Sequence, residues 1–163
     1  MTISELRDME SFVAKLTEQL TEIESYVSRA DRLQPGVSAW SIGQQLEQML
    51  LAMTGIIRGL QFTESHEGSR EPNELRDYVF ENNGFPRGIV QAPEAAIPSD
   101  EATEKSITRL LLKTRNRLGK ILEIPVRSTM DHPILDIMTR NESIIFMTIH
   151  NDHHLAIVRE IVS

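Results

Sequence analysis

No cysteine occurs among the 163 residues, and that absence alone removes thiolate metal sites, disulfide frameworks and cysteine nucleophiles from consideration. Cations are short too. Lys and Arg number 17 against 24 Asp and Glu, a formal net charge of -7, and no Lys/Arg cluster is present to neutralise phosphates, which argues against a nucleic-acid partner. The densest basic group, Arg109, Lys113, Arg115, Arg117 and Lys120, is spread around a helical segment and reads as a solvated face with its cations toward the helix C-terminus. Nowhere do 18 apolar residues run together, so no membrane span is predicted. The opening Met1-Thr2-Ile3-Ser4-Glu5 also lacks a basic segment followed by an apolar one, and a cytoplasmic protein is expected. Two catalytic signatures are missing as well: there is no Gly-x-Ser-x-Gly turn for a serine nucleophile, and there are no Glu-x-x-His pairs for a carboxylate-bridged dimetal centre.

What the chain does have is helical periodicity. A length of 163 residues fits a single domain over 1–163, large enough to bury roughly 70% of its unfolded surface without metal or disulfide support. Three helices are announced by capping boxes, a Ser or Thr followed three residues later by Glu or Gln: Thr2 with Glu5, Ser41 with Gln44, and Thr139 with Glu142. The first helix carries Leu6, Met9, Val13, Leu16, Leu20, Ile23 and Val27 and is predicted to reach about residue 32, before Gln34-Pro35-Gly36. The second carries Ile42, Leu46, Met49, Leu50, Met53, Ile56, Ile57 and Leu60 as far as about Phe62. Its other face, Gln45, Gln48, Ala52, Gly55 and Gly59, has small residues that would let another backbone come close. Turn chemistry then replaces periodicity over about 63–98, a long crossover with a short helix predicted around Glu74 to Glu81 and with its course over one end of the molecule. A third helix is predicted from near Ser99 through Leu122, and a fourth from Thr139 to the last residues. No alternating strand pattern stands out, so the expected fold is all-α: an antiparallel four-helix bundle with a long crossover between helices 2 and 3.

The last helix carries His150-Asn151-Asp152-His153-His154. At about 100° per residue, His150 and His154 fall on the apolar stripe with Met147, Ile157, Val158 and Ile161, while His153 lies about a quarter-turn away. Two imidazoles buried among aliphatic side chains need partners for their ring nitrogens, and a divalent metal satisfies both. Such a site commonly takes three protein ligands, and the second helix is the natural source of the third.

Trp40-Ser41-Ile42-Gly43-Gln44-Gln45-Leu46-Glu47-Gln48, then Pro86-Arg87-Gly88 and Ala92-Pro93, then the tail from His132-Pro133 through His150-Asn151-Asp152-His153-His154-Leu155, resemble the DinB/YfiT-like superfamily, in that order and over nearly the whole chain. The resemblance implies a four-helix bundle, often dimeric, in which three histidines bind a divalent metal such as nickel or zinc, among relatives that include thiol-dependent transferases, hydrolases and isomerases. Two of the family's histidines match His150 and His154. Its first, eight residues after the tryptophan, is replaced here by Gln48, whose amide oxygen is a neutral, weak donor, so the metal site is degenerate and low occupancy is expected.

Three further residues are candidates for the pocket. His132 matches a histidine common before the last helix of related sequences, with a place at the site mouth and a capping role as its two readings. His153 reads as a supporting or surface group. Arg87 could clamp a substrate carboxylate or pin the crossover. Trp40 reads as a structural residue ahead of a helix N-cap. Three functions stay open: a metal-dependent enzyme acting on a small-molecule or thiol substrate, a metal-free small-molecule pocket, and an interaction module working as a homodimer.

Overall fold

The computed structural model describes residues 2–63, 69–86, 97–99 and 101–163. Among them the chain is mainly helical, with a single two-stranded sheet. Helix α1 spans Ile3–Tyr26, α2 Ile42–Phe62, α3 Glu74–Asn82, α4 Glu104–Leu118 and α5 Arg140–Val162. Strands β1 (Thr129–His132) and β2 (Asp136–Thr139) pair antiparallel just before α5.

The helix starts follow local chemistry. Thr2 and Glu5 bond reciprocally at the head of α1, and Ser41 and Gln44 do the same at α2. At α5 the Thr139 hydroxyl accepts from the Glu142 N–H, satisfying one of the donors that a helix start leaves unpaired. Helix α1 stops at Tyr26 and passes through a 3₁₀ turn over Val27–Arg29, short of the predicted residue 32. Helix α3 fits its predicted place within a residue. The third long helix corrects the sequence expectation. It begins at Glu104, not near Ser99, because Thr103 forms the box with Ser106, and it ends at Leu118, leaving Ile121–Glu123 as a separate 3₁₀ turn. The hairpin was not anticipated either: its strands are four residues each, the turn between them contains Pro133, and Asp136 at the start of β2 has a φ of 61°.

α1 packs on α5 and α4, and α2 packs on α4 and α5, so the four long helices close around a shared core. Leu16, Leu20 and Ile23 meet Leu46, Met49, Leu50 and Met53 there, with Ile107 and Leu111 from α4 and Ile144, Met147, Leu155 and Val158 from α5, all buried. Side-chain pairs fix the directions. Lys15 bonds Asp152 and Glu22 bonds Arg159, so α1 and α5 run parallel. Gly43 lies against Ala102 and Thr54 accepts from Arg117, so α2 and α4 run parallel too. Gln45 meets His154 and Met53 meets Asn151, which sets α2 antiparallel to α5. Parallel pairs α1–α5 and α2–α4 thus stand beside the antiparallel pair α2–α5, a geometry that a long crossover permits and a tight turn does not.

α5 is buried almost all round, which sets the terms for its polar residues. Two of the glycines expected to admit a second backbone differ in use: a Cβ on Gly59 would touch the Met130 side chain of β1, whereas Gly55 faces open space. The tightest approach is at Gly43 instead, where a Cβ would lie 2.5 Å from the Ala102 carbonyl oxygen and 2.9 Å from that of Ala30.

Candidate metal and small-molecule site

A row of rings runs along the buried side of α5. His132 and Phe146 are 5.3 Å apart between centroids, Phe146 and His150 5.8 Å, His150 and His154 4.6 Å, and His154 and Trp40 6.4 Å with nearly parallel planes. Helical spacing from 146 to 150 to 154 stacks three of these positions on one face. Phe85, which follows α3, closes over the row. Its ring lies within 6 Å of those of Phe146, His150 and His153, at 5.7, 5.8 and 5.6 Å.

His150 and His154 are both buried, at 9% and 8% exposed. Burial pushes the His150 ring down to about 3, with His153 and His132 adding to the effect, and holds His154 well below the ordinary imidazole range. Both rings are therefore neutral near pH 7 and each offers one lone pair. Their surroundings differ. His150 makes no hydrogen bond among the described residues, whereas His154 Nδ1 lies 2.6 Å from Gln45 Oε1. The Gln45 amide is held in turn by Nε2 donating to Ser38 Oγ at 3.0 Å.

Gln48 is 2% exposed, and its Oε1 is buried with no hydrogen-bond partner among the described residues. It lies between Gln45 and Met53 in the sequence of α2, and those two residues touch His154 and Asn151 of α5. An orphaned buried carbonyl costs about 1–3 kcal/mol, a cost that a bound cation or donor would offset. Two imidazoles and an amide oxygen make a set of acceptors, and this chemistry fits a divalent cation with two good ligands and one weak one. Among the described residues no group of three or more His, Cys, Asp or Glu is arranged to hold a metal.

The other sequence candidates divide. His132 closes β1, and its Nδ1 accepts from the N–H groups of Ile134 and Leu135, at 3.2 and 3.1 Å, which caps the hairpin turn. Burial lowers its pKa to about 4, opposed by Asp131. Its ring also heads the aromatic row, and it lines an open cleft of about 480 Å³ with Asn73, Asp131, Pro133, Ile134 and Asp136. That cleft meets the row only through His132. His153 is half-buried, with its ring 5.1 Å from that of His154. Arg87 lies outside the described residues.

Sequence reasoning missed Gln45 and Phe85, and it gave Trp40 no part in the site. Gln45 sits three residues before Gln48 on the face already singled out, and that spacing was the available signal. Of the basic group on α4, Arg115 pairs with Glu24 and Arg117 bonds the Thr54 carbonyl, so these two tie helices together as well as facing water.

No protein family, curated protein or solved structure matches the chain.

Proposed function

We propose that the chain is a DinB/YfiT-like four-helix bundle whose His150, His154 and Gln48 hold a divalent ion, nickel or zinc, more weakly than three imidazoles would, beside a pocket for a small polar or thiol substrate. One observation carries this reading: two neutral, buried imidazoles 4.6 Å apart between centroids, in a chain whose matching third position, Gln48, has a buried Oε1 with no hydrogen-bond partner among the described residues. The parallel α1–α5 and α2–α4 pairs and the ring of Phe85 over His150 support a bundle with its site at the α2–α5 seam. A divalent ion bound there supplies Lewis acidity to a substrate oxygen or sulfur. The chain's own residues bind and orient: Phe85, Phe146 and Trp40 supply an apolar wall, and the neutral imidazoles avoid charge repulsion with a cation.

The test is titration of untagged protein with nickel and with zinc, followed by calorimetry. Binding of one ion per chain that is lost in His150→Ala is the expected result, and unchanged heat and melting temperature in both titrations would overturn it. The second reading, a metal-free small-molecule pocket, is favoured by the amide at position 48, which also suits a ligand that donates a hydrogen bond. A homodimer belongs to the same proposal, with the open surface at Gly55 and the exposed Phe62 on α2 as its candidate face; light scattering over a range of concentrations reads it directly.

A further inference from the structure

We propose that Gln45 is a positioning residue that fixes His154 as the Nδ1–H tautomer, leaving Nε2 as the unprotonated atom presented to the site; its value for a cation rests on the metal reading above. The inference starts from α2. Ser41 and Gln44 are committed to the helix cap, so the next side chain, Gln45, is free to turn inward, where it is 2% exposed. Ser38 Oγ receives the Trp40 N–H at 3.1 Å and the Gln45 Nε2–H at 3.0 Å. With its NH₂ end anchored on Ser38, the amide turns its oxygen to His154 Nδ1 at 2.6 Å.

A carbonyl oxygen cannot donate, so the ring nitrogen facing it carries the hydrogen. A neutral imidazole has only one N–H, and Nε2 therefore keeps its lone pair. Trp40 lies with its ring nearly parallel to that of His154. Histidine ligands commonly have this arrangement, with the far nitrogen donating to an oxygen that sets orientation and basicity. His132 is the internal contrast. Its Nδ1 accepts from two backbone N–H groups, so it is an Nε2–H ring, and one molecule should hold both tautomers.

The experiment is long-range ¹H–¹⁵N spectroscopy of metal-free, ¹⁵N-histidine-labelled protein near pH 7.5. His154 is expected as the Nδ1–H form in the parent and in Gln45→Glu, and as a mixture in Gln45→Leu. An Nε2–H signal for His154 in the parent, or an unchanged Nδ1–H signal in Gln45→Leu, overturns the proposal. If Gln45→Leu does not fold, Ser38→Ala replaces it: freeing the amide to turn over should also give a mixture, and an unchanged signal overturns the proposal. A zinc titration accompanies the spectra, with affinity falling about 10- to 100-fold in Gln45→Leu and kept or raised in Gln45→Glu. Parent protein that binds no zinc overturns the metal reading while the spectra still decide the tautomer. Parent and Gln45→Leu binding zinc equally would remove Gln45's role toward the cation and leave the metal reading standing.

Discussion

His150 and His154 set their rings edge to face, 4.6 Å apart between centroids, one turn apart on a helix whose middle is buried almost all round. On the proposed metal reading, residue 48 supplies the third donor. Gln48→His should raise zinc or nickel affinity more than about tenfold, equivalent to about 1.4 kcal/mol, because imidazole is the stronger donor for both ions. Calorimetric titration of both proteins checks this, and equal affinities would show that position 48 does not reach the pair.

Gln48→Leu tests the same position from the stability side. Removing an orphaned buried amide should stabilise the metal-free protein by about 1–3 kcal/mol, read from urea unfolding, while weakening any metal binding. A destabilised Gln48→Leu would mean that the amide already has a partner.

The histidines of the ring row predict the response to acid. His132 has a native pKa of about 4, His150 about 3, and His154 is also lowered, whereas an unfolded chain protonates near 6.5. Between these values the unfolded state binds more protons, so stability rises with pH; the contribution is complete above about 6.5 and is lost as pH falls toward 4 and below. His132→Asn keeps an acceptor for the Ile134 and Leu135 N–H groups without the titration, so its unfolding free energy should change less between pH 7 and 4.5 than the parent's. Urea melts at those two pH values are the measurement.

Gly43 and Gly55, both on α2, should respond oppositely to alanine. At Gly43 a methyl would press on two backbone carbonyls, beside the 2.7 Å bond from Gly43 N to Ala30 O, so Gly43→Ala should cost at least about 1–3 kcal/mol. Gly55→Ala meets nothing within 4 Å and should add about 0.5–1 kcal/mol through helix propensity. Thermal melts of the two variants give the comparison.

Periodicity and capping made most of the helical frame legible. Thr2, Ser41 and Thr139 each head a helix where their box partners put it. The start of α4 was misplaced because Thr103 pairs with Ser106, a residue outside the Glu/Gln pattern, and because Asp100 and Glu101 resemble a first helical turn. Strands of four residues left too little pattern to recognise, and the φ of 61° at Asp136 is not written in its side chain. At the site, spacing alone gave the adjacency of His150 and His154 on one face, since it follows from helix geometry. Gln45 and Phe85 were beyond reach for a different reason: their contacts span 109 residues for the Gln45–His154 bond and bring together separate elements for Phe85, so they arise only when the helices pack.

Phe85 places an aromatic ring from outside the long helices directly against His150 and His153. The surroundings of the imidazoles are thus shared between a frame that must stay packed and a connection that tolerates change. Substitutions in that connection can change what lies against the His150 ring while the scaffold keeps its shape, so the cover of the ring row and the foldability of the frame are free to evolve separately.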